Sequence, residues 1–358
     1  MGDFRVELGP NAHPAHVGAG ALDRLGELAR GAGLKPGRAA IVTDAIVAPL
    51  YADRAARALA AAGFAPAIVI VAAGEASKSL ATLAELYDRF AAAGLDRSSA
   101  VFALGGGVVG DLAGFAAATW MRGIAVAQIP TTMLAQVDSA LGGKTGINHP
   151  AAKNLIGAFH QPRLIVADVA TLTTLPDRAF REGLAEVIKY GAIMDAPMIT
   201  ALETAMPAIL RRDPATLAAI VERSLRHKAA VVQSDEREGG LRKILNFGHT
   251  VGHALEASAG YGGLLHGEAV AIGMGAATAL SRAYANLPEA DADRLLALIA
   301  SAGLATRLPV GARGAAFERA LKLDKKRAGA GVEFVLIDRL GHALTRTLGF
   351  DEIIAALA

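Results

Sequence analysis

Two histidines stand four residues apart in NFGHTVGHALE (246–256), His249 and His253. On a helix that spacing puts both imidazoles on one face, where they can share a metal ion. The zinc-protease pattern needs Glu directly after the first histidine, and Thr250 stands there instead. LHGEAVAIG (265–273) adds His266, and GLAEVIKYG (183–191) places Glu186 and Lys189 on one face of an apolar helical stretch. Such a Glu–Lys pair alone reads as a structural ion pair. With three histidines downstream and no cysteine in the chain, a His/His/Glu metal site becomes the better reading. Three protein ligands with one open position is the catalytic arrangement. The lack of cysteine excludes disulfides and thiolate sites, and His with carboxylate suits Zn, Co, Mn or Fe. His13, His16 and His342 stand alone and read as surface or packing residues.

Other residues are suited to anions. GGGVVGD (105–111) gives Gly105, Gly107 and Gly110 the G-x-G-x-x-G spacing, which lets backbone N–H groups approach a pyrophosphate. No acid follows about twenty residues later, so the ribose partner is missing and a plain tight turn is an equal reading. Asp44, closing an earlier apolar run, is an alternative ribose partner. GEASK (74–78) offers another acid and a lysine. GGKTGINHPAAKN (142–154) has the look of a P-loop and fails as one. The glycine required five positions before Gly143 is Asp138. What remains is a glycine-rich turn with Asp138, Lys144, Asn148, Lys153 and Asn154, a diversity of polar groups that suits a site on a rigid scaffold.

These residues need elements to hold them. The apolar runs at 39–44, 67–71, 99–104, 124–130 and 163–168 alternate with helical patterns near 48–62 and 79–94. That alternation predicts a parallel sheet covered on both faces. From about 175 nearly everything has helical periodicity, with one late strand at 333–338. The expected organisation is an α/β domain over 1–175 and a mostly α-helical domain over 176–358. A 358-residue chain, 53% hydrophobic, is ample for two buried cores. Its net charge of +2 excludes a general nucleic-acid surface, so anion binding must come from a few placed cations. MGDFRVELGP has no apolar leader run, and Asp111 with its glycines argues against a membrane span at 101–121. A cytoplasmic protein is expected.

Taken in order, GGGVVGDLAGFAAATWMRG, PTTMLAQVDSALGGKTGINHP, KNLIGAFHQP, GLAEVIKYG, LNFGHTVGHALE and LHGEAVAIGM resemble the signatures of the 3-dehydroquinate synthase family, almost end to end. DKK (324–326) followed by FVLI also fits. The resemblance implies a Rossmann-like NAD-binding domain and a helical metal- and substrate-binding domain. It assigns the metal, Zn or Co, to Glu186, His249 and His266, and turns His253 to the substrate, whereas spacing alone pairs His249 with His253. By the resemblance, then, His249 shares the ion with His266 rather than with His253. NAD would lie along Asp44, Gly74, Glu75, Lys78, the turn Gly107, Val108, Val109, Gly110 and Asp111, then Thr131, Thr132, Lys144 and Lys153, and the run Thr171, Leu172, Thr173 and Thr174. Asp138, Asn154, Lys189, Lys228, Glu238, Arg242, Asn246 and Lys325 or Lys326 would surround the substrate. Of these, Asp138, Lys189 and Glu238, together with Lys144 and His253, are the expected catalytic groups. Arg122 would reach the neighbouring subunit's site in a homodimer. Three positions depart from the family pattern. Ile46 stands for a common Asn near the adenosine, His160 for a Tyr and Ala152 for a Gly.

The implied reaction converts 3-deoxy-D-arabino-heptulosonate 7-phosphate to 3-dehydroquinate and phosphate, in the shikimate route to aromatic amino acids. Hydride leaves C5 for NAD, phosphate is eliminated, hydride returns, the ring opens and an intramolecular aldol step closes the carbocycle. The anions held by the two lysines of the 142–154 stretch are then a pyrophosphate and a sugar-phosphate acid. The rival readings are a related cyclase acting on a neutral sugar phosphate, a metal-dependent polyol dehydrogenase that releases NADH, and a non-catalytic NAD-binding module.

Overall fold

The computed structural model describes residues 2–237, 240–259, 263–308, 317–321 and 331–356. An N-terminal hairpin, β1 (Gly2–Val6) and β2 (His13–Val17), opens the chain. Helix α1 (Leu25–Gly31) leads to β3 (Arg38–Asp44), α2 (Asp53–Ala61), β4 (Ala65–Val71), α3 (Leu80–Ala92) and β5 (Ala100–Gly105). Then come α4 (Gly107–Thr119), β6 (Ala125–Pro130), the hairpin β7 (Lys144–His149) and β8 (Ala152–Phe159), and β9 (Leu164–Ala167). Seven strands form one sheet in the order β1-β2-β9-β6-β5-β3-β4, parallel except for β1 against β2.

Alternation along each strand feeds two cores. Ile41, Phe102, Leu104 and Ile129 face α1 and α2, where Leu25, Leu28 and Leu59 pack. Ala40, Val42, Val101 and Val126 face α3 and α4, where Leu86, Phe90, Leu112 and Ala116 pack. Burial on both faces explains why these strands read as unbroken apolar runs. Helix α4 is buried nearly all round, and its small residues allow it. A Cβ on Gly110 would sit 2.8 Å from Gln128 Oε1, and one on Gly114 would sit 2.5 Å from Thr145 Cγ2.

After Leu175 the chain turns helical, with α5 (Asp177–Met194), α6 (Ala196–Leu210), α7 (Pro214–Ser234), α8 (His249–Ala259), α9 (His266–Tyr284) and α10 (Glu289–Ser301). A hairpin, β10 (Val332–Arg339) with β11 (His342–Leu348), and a helix at Phe350–Ala356 follow. Two compact units result. One comprises the residues up to Leu175 together with Pro214–Gln233; the other comprises Pro176–Asp213 and the chain from Ser234 onward. Helix α7 thus returns to the α/β unit. There Glu7 N–H donates to Gln233 Oε1 (2.8 Å), and the Arg226 guanidinium lies 4.7 Å from the Phe4 ring centre. In the second unit α9 is central, its Ile272 and Leu280 buried with Val251 and Leu255 of α8 and Phe334 and Leu336 of β10. Sequence pattern located β3, β4, β5, β6, β9 and β10, and passed over both hairpins of the first unit and β11.

Candidate active site

Helix α5 carries Arg178, Glu182, Glu186 and Lys189 at spacings of four, four and three, which sets them on one face. Glu186 is fully buried and Lys189 is 2% exposed. Lys189 Nζ pairs with Glu186 Oε2. Glu186 Oε1 is buried and accepts no hydrogen bond. Nε2 of His249 lies 3.4 Å from it and Nε2 of His266 3.8 Å. A buried carboxylate oxygen left this way is costly unless something cationic completes it. Roughly 2.0–2.2 Å bonds at a tetrahedral angle set donor atoms about 3.4 Å apart. The separations therefore suit ligands around a metal better than hydrogen bonds. Glu186, His249 and His266 do present donor atoms all within 4.8 Å of one another.

Ring orientation supports the same fit. His249 Nδ1 lies 3.2 Å from Phe247 O, so Nδ1–H donates there and leaves the Nε2 lone pair toward Glu186. Burial, reinforced by the Lys189 ammonium, holds the His249 imidazolium well below its usual range. A neutral imidazole is the form a metal takes. His266 is the first residue of α9, and the start of that helix is fastened to α5. Gly267 N–H donates to Glu182 Oε2 (2.9 Å), Leu265 N–H donates to Glu268 Oε2 (2.8 Å), and Arg178 Nε donates to Glu268 Oε1 (2.7 Å). Burial pushes the Glu182 carboxyl up. His253 is exposed, its ring 5.3 Å from that of His249 and 6.1 Å from that of His266. A second set, His253, Glu256 and His266, also presents converging donor atoms. Arg242 is 2% exposed, and its Nη1 donates to Glu236 O at 2.6 Å. Asn246 is exposed at the end of the turn Leu241–Asn246. Glu238, Lys325 and Lys326 lie outside the described residues.

The α/β unit has its own convergence. Strand order reverses between β3 and β5, since β3 leads outward to β4 and β5 leads the other way to β6. Ligands of open α/β sheets collect beyond the C-terminal ends of strands at such a point. Asp44 and Gly105 end these two strands, level with each other by the Thr43–Leu104 register. Helix α4 begins at Gly107, and its N-cap, Gly106, offers no side-chain hydrogen bond. Its first N–H groups are thus available to an anion. A Cβ on Gly106 would meet Thr132 at 3.0 Å, and one on Gly107 would meet Ser139 at 3.0 Å, so the glycines keep this edge open. Of the turn's side chains Val109 is buried, which leaves only its backbone to face a ligand, whereas Val108 is half-buried. Thr131 sits beside the turn, its N–H on Gly105 O at 2.9 Å. Asp44 Oδ1 accepts from Ile46 and Val47 N–H (2.8 and 3.0 Å), so half of that carboxylate already serves its own turn, and Ile46 is exposed beside it. Thr171, Leu172, Thr173 and Thr174 form one short helix after β9, and the Tyr51 hydroxyl lies 2.6 Å from Thr174 Oγ1.

Lys78 follows the turn at Gly74 and Glu75, is 4% exposed, and anchors a polar network. Its Nζ donates to Asp111 Oδ2 (2.7 Å) and to Asn154 Oδ1. Burial pushes the Asp111 carboxyl up, opposed by Lys78. Asn148 joins in, donating to Glu75 Oε1 (2.8 Å) and accepting from Asn154 N–H (2.9 Å). The glycine-rich stretch is therefore a β-hairpin rather than a loop. Lys144 opens β7 opposite Phe159, and Lys153 stands at the turn end. The two lysines occupy opposite ends of the hairpin, unlike the single cradle of a P-loop. Asp138 Oδ1 pairs with Lys228 Nζ of α7 at 2.9 Å. Arg122 lies in an exposed turn where it and Met121 take left-handed φ of 69° and 53°. His160 ties the hairpin to the sheet, with Nε2 2.8 Å from Ile124 O; Ala152 is exposed at the hairpin turn. The sequence alone does not single out Glu256 or Glu182. Their signal was present in the helical spacing from His249 and to Glu186, but acids on a helix face are too common to stand out.

Two family models match consecutive stretches, 3-dehydroquinate synthase N-terminal over residues 68–182 and 3-dehydroquinate synthase C-terminal over residues 183–327. The 3-dehydroquinate synthase of Geobacter metallireducens is 49% identical over 356 residues, covering 99% of this chain and 98% of that protein. Among solved structures, 2-epi-5-epi-valiolone synthase from Streptomyces hygroscopicus with NAD+ and Zn2+ bound superposes with a TM-score of 0.87 at 30% identity, covering 96% of this chain and 95% of that one. A 2-deoxy-scyllo-inosose synthase complexed with carbaglucose-6-phosphate, NAD+ and Co2+ gives 0.89 at 26% identity, covering 99% of each.

Proposed function

The chain belongs to the 3-dehydroquinate synthase family, and on that premise we propose that it converts 3-deoxy-D-arabino-heptulosonate 7-phosphate into 3-dehydroquinate and phosphate, with catalytic NAD and a Zn or Co ion. The observation that carries the reading is Glu186 Oε1, a buried oxygen without a hydrogen bond that faces Nε2 of His249 and of His266. When bound, the metal supplies Lewis-acid polarisation of substrate hydroxyl oxygens, and NAD supplies a reversible store for hydride.

The chain's own groups do the rest. Lys189 neutralises Glu186 Oε2 and leaves Oε1 for the ion. The bare start of α4, with Thr131 and Thr132, suits the pyrophosphate, while Asp44, Gly74, Glu75, Lys78 and the 171–174 turn are assigned to the remainder of NAD. Lys144 and Lys153 contribute from opposite ends of one hairpin, so their charges serve different anionic groups. Asp138 holds Lys228, fixing the ammonium that meets the substrate. Arg242, Asn246 and Asn154 are assigned to the substrate with Glu238, Lys325 and Lys326. The imidazole of His253, exposed beside the trio, is assigned to holding or passing a substrate proton. The test is phosphate release with substoichiometric NAD. Phosphate should grow with turnover while reduced nicotinamide does not, and stoichiometric NADH would instead indicate a polyol dehydrogenase.

The likeness to a cyclase complexed with carbaglucose-6-phosphate keeps a second reading in view, a cyclase of neutral sugar phosphates. Arg242 can fork onto a planar carboxylate or onto phosphate oxygens, so turnover separates the two readings. Glucose 6-phosphate should be a poor substrate. Equal turnover of it would transfer the chain to the second reading. The proposal includes a cytoplasmic homodimer in which Arg122 reaches the neighbouring subunit's site. The exposed turn, with left-handed φ at Met121 and Arg122, supports the contact with a neighbouring subunit. No described helix is long and apolar enough to cross a membrane. Mixing inactive Arg122→Ala and Glu186→Gln proteins should restore activity through hybrid dimers.

A further inference from the structure

His266 has two ring nitrogens and both are occupied in direction. Nε2 points to Glu186 Oε1, and Nδ1 lies 3.3 Å from Glu256 Oε2. Glu256 sits on α8 seven residues after His249, two helical turns along the same face, and its side chain is 15% exposed. We propose that Glu256 is a positioning residue for the metal site: its carboxylate accepts the Nδ1–H of His266, fixes the tautomer that presents Nε2, and raises the donor strength of that imidazole. This rests on the metal-dependent reading above.

Three features favour it. The protonated nitrogen of a metal-bound histidine needs an acceptor, and a carboxylate is the strongest available. Glu256 and His249 share one helix, so a single rigid element supplies one ligand and orients another. The backbone beside His266 is already fastened by Glu182 and Glu268, which leaves ring rotation as the freedom that Glu256 removes. The competing arrangement is a metal held directly by His253, Glu256 and His266. The two differ in what His253 does.

The experiment is metal affinity of the purified full-length protein, measured by competing a coloured chelator for Zn2+ and by the visible spectrum of the Co2+ form. Glu256→Ala should raise the metal Kd about 10–100-fold and shift the Co2+ bands. Glu256→Gln, which can still accept from Nδ1–H but without charge, should fall between. His253→Ala should leave Kd and spectrum unchanged, and Glu186→Gln should abolish tight binding. Thermal melting of the metal-free proteins checks that each variant folds. Unchanged Kd in folded Glu256→Ala overturns the proposal. So does loss of metal by His253→Ala equal to that of Glu256→Ala, which would make Glu256 a direct ligand. If the wild-type protein binds no metal, the metal-dependent reading falls and this inference with it. If it binds one ion through Glu186 but ignores Glu256, only the inference fails.

Discussion

Glu186 and Lys189 are buried together, so neither charge can be removed alone without leaving the other in a dry interior. Glu186→Gln should therefore destabilise the metal-free protein by about 3–5 kcal/mol in urea titration, beyond its effect on metal. Adding Lys189→Met to it should recover part of that loss, since no lone ammonium is then left buried. His13 makes a different prediction. It is fully buried, Nδ1 donates to Asn11 O at 2.9 Å, and Nε2 has no partner. Burial above all, with Arg5 and Arg163 adding to it, lowers its pKa from 6.5. The unfolded chain then takes up the proton first, so this contribution to stability is complete above pH 6.5 and is lost as pH falls toward the folded value. His13→Leu lacks that proton. Comparing unfolding free energies at pH 7.5 and 5.5, the wild type should lose more than the variant; equal losses would mean His13 is charged in the fold. At this scale Glu186, Lys189, His249 and His266 stand out in the sequence because such residues are rare in apolar helices, whereas helical spacing alone pairs His249 with His253 and only the family resemblance points to His266. Glu256 does not stand out, because its role exists only once α9 delivers His266 to it.

Helices α8 and α9 approach closely through glycine. A Cβ on Gly273 of α9 would lie 1.9 Å from the O of Gly248, the residue before α8; at the start of α9 a Cβ on Gly267 would likewise lie 1.9 Å from Glu182 O of α5. Backbone cannot give way as a flexible side chain does, so Gly273→Ala must push α8 from α9, separating His249 from His266 without touching a ligand. It should cost about 1–3 kcal/mol or more, and weaken metal binding in the chelator competition. Gly31→Ala, with nothing within 4 Å of the added carbon, should change neither by a comparable amount. Retained affinity in Gly273→Ala would show that helix spacing does not tune the site. The elements themselves were unequally readable. The central strands announced themselves by double burial. Strand β7 reads KTGINH with Ile147 its one large apolar residue, β8 has only half-buried and exposed residues, and β11 reads HALTRTL with polar groups at most positions, so none carries the fully buried apolar run of a central strand. Helix α7 has ordinary helical periodicity, but which unit it joins is decided by partners more than two hundred residues away, such as Glu7 for Gln233.

For the whole molecule, that long-range choice makes the α/β unit discontinuous in sequence. A chain ending at residue 175 lacks α7, and with it Lys228 for Asp138 and the cover over Phe4. Such a fragment should expose apolar surface and run as aggregates on size exclusion, with no cooperative melt. A sharp melt would mean that α7 is dispensable to the fold. The same discontinuity sets an order of events during translation. The ribosome delivers every strand of the sheet well before the helix that completes the unit. At about 5–20 residues per second, the stretch from 175 to 233 takes roughly 3–12 s to make. Through that interval the nascent unit has neither the ammonium that Asp138 meets in the finished fold nor the guanidinium that lies over Phe4, so its last contacts close only after the sheet has long been made.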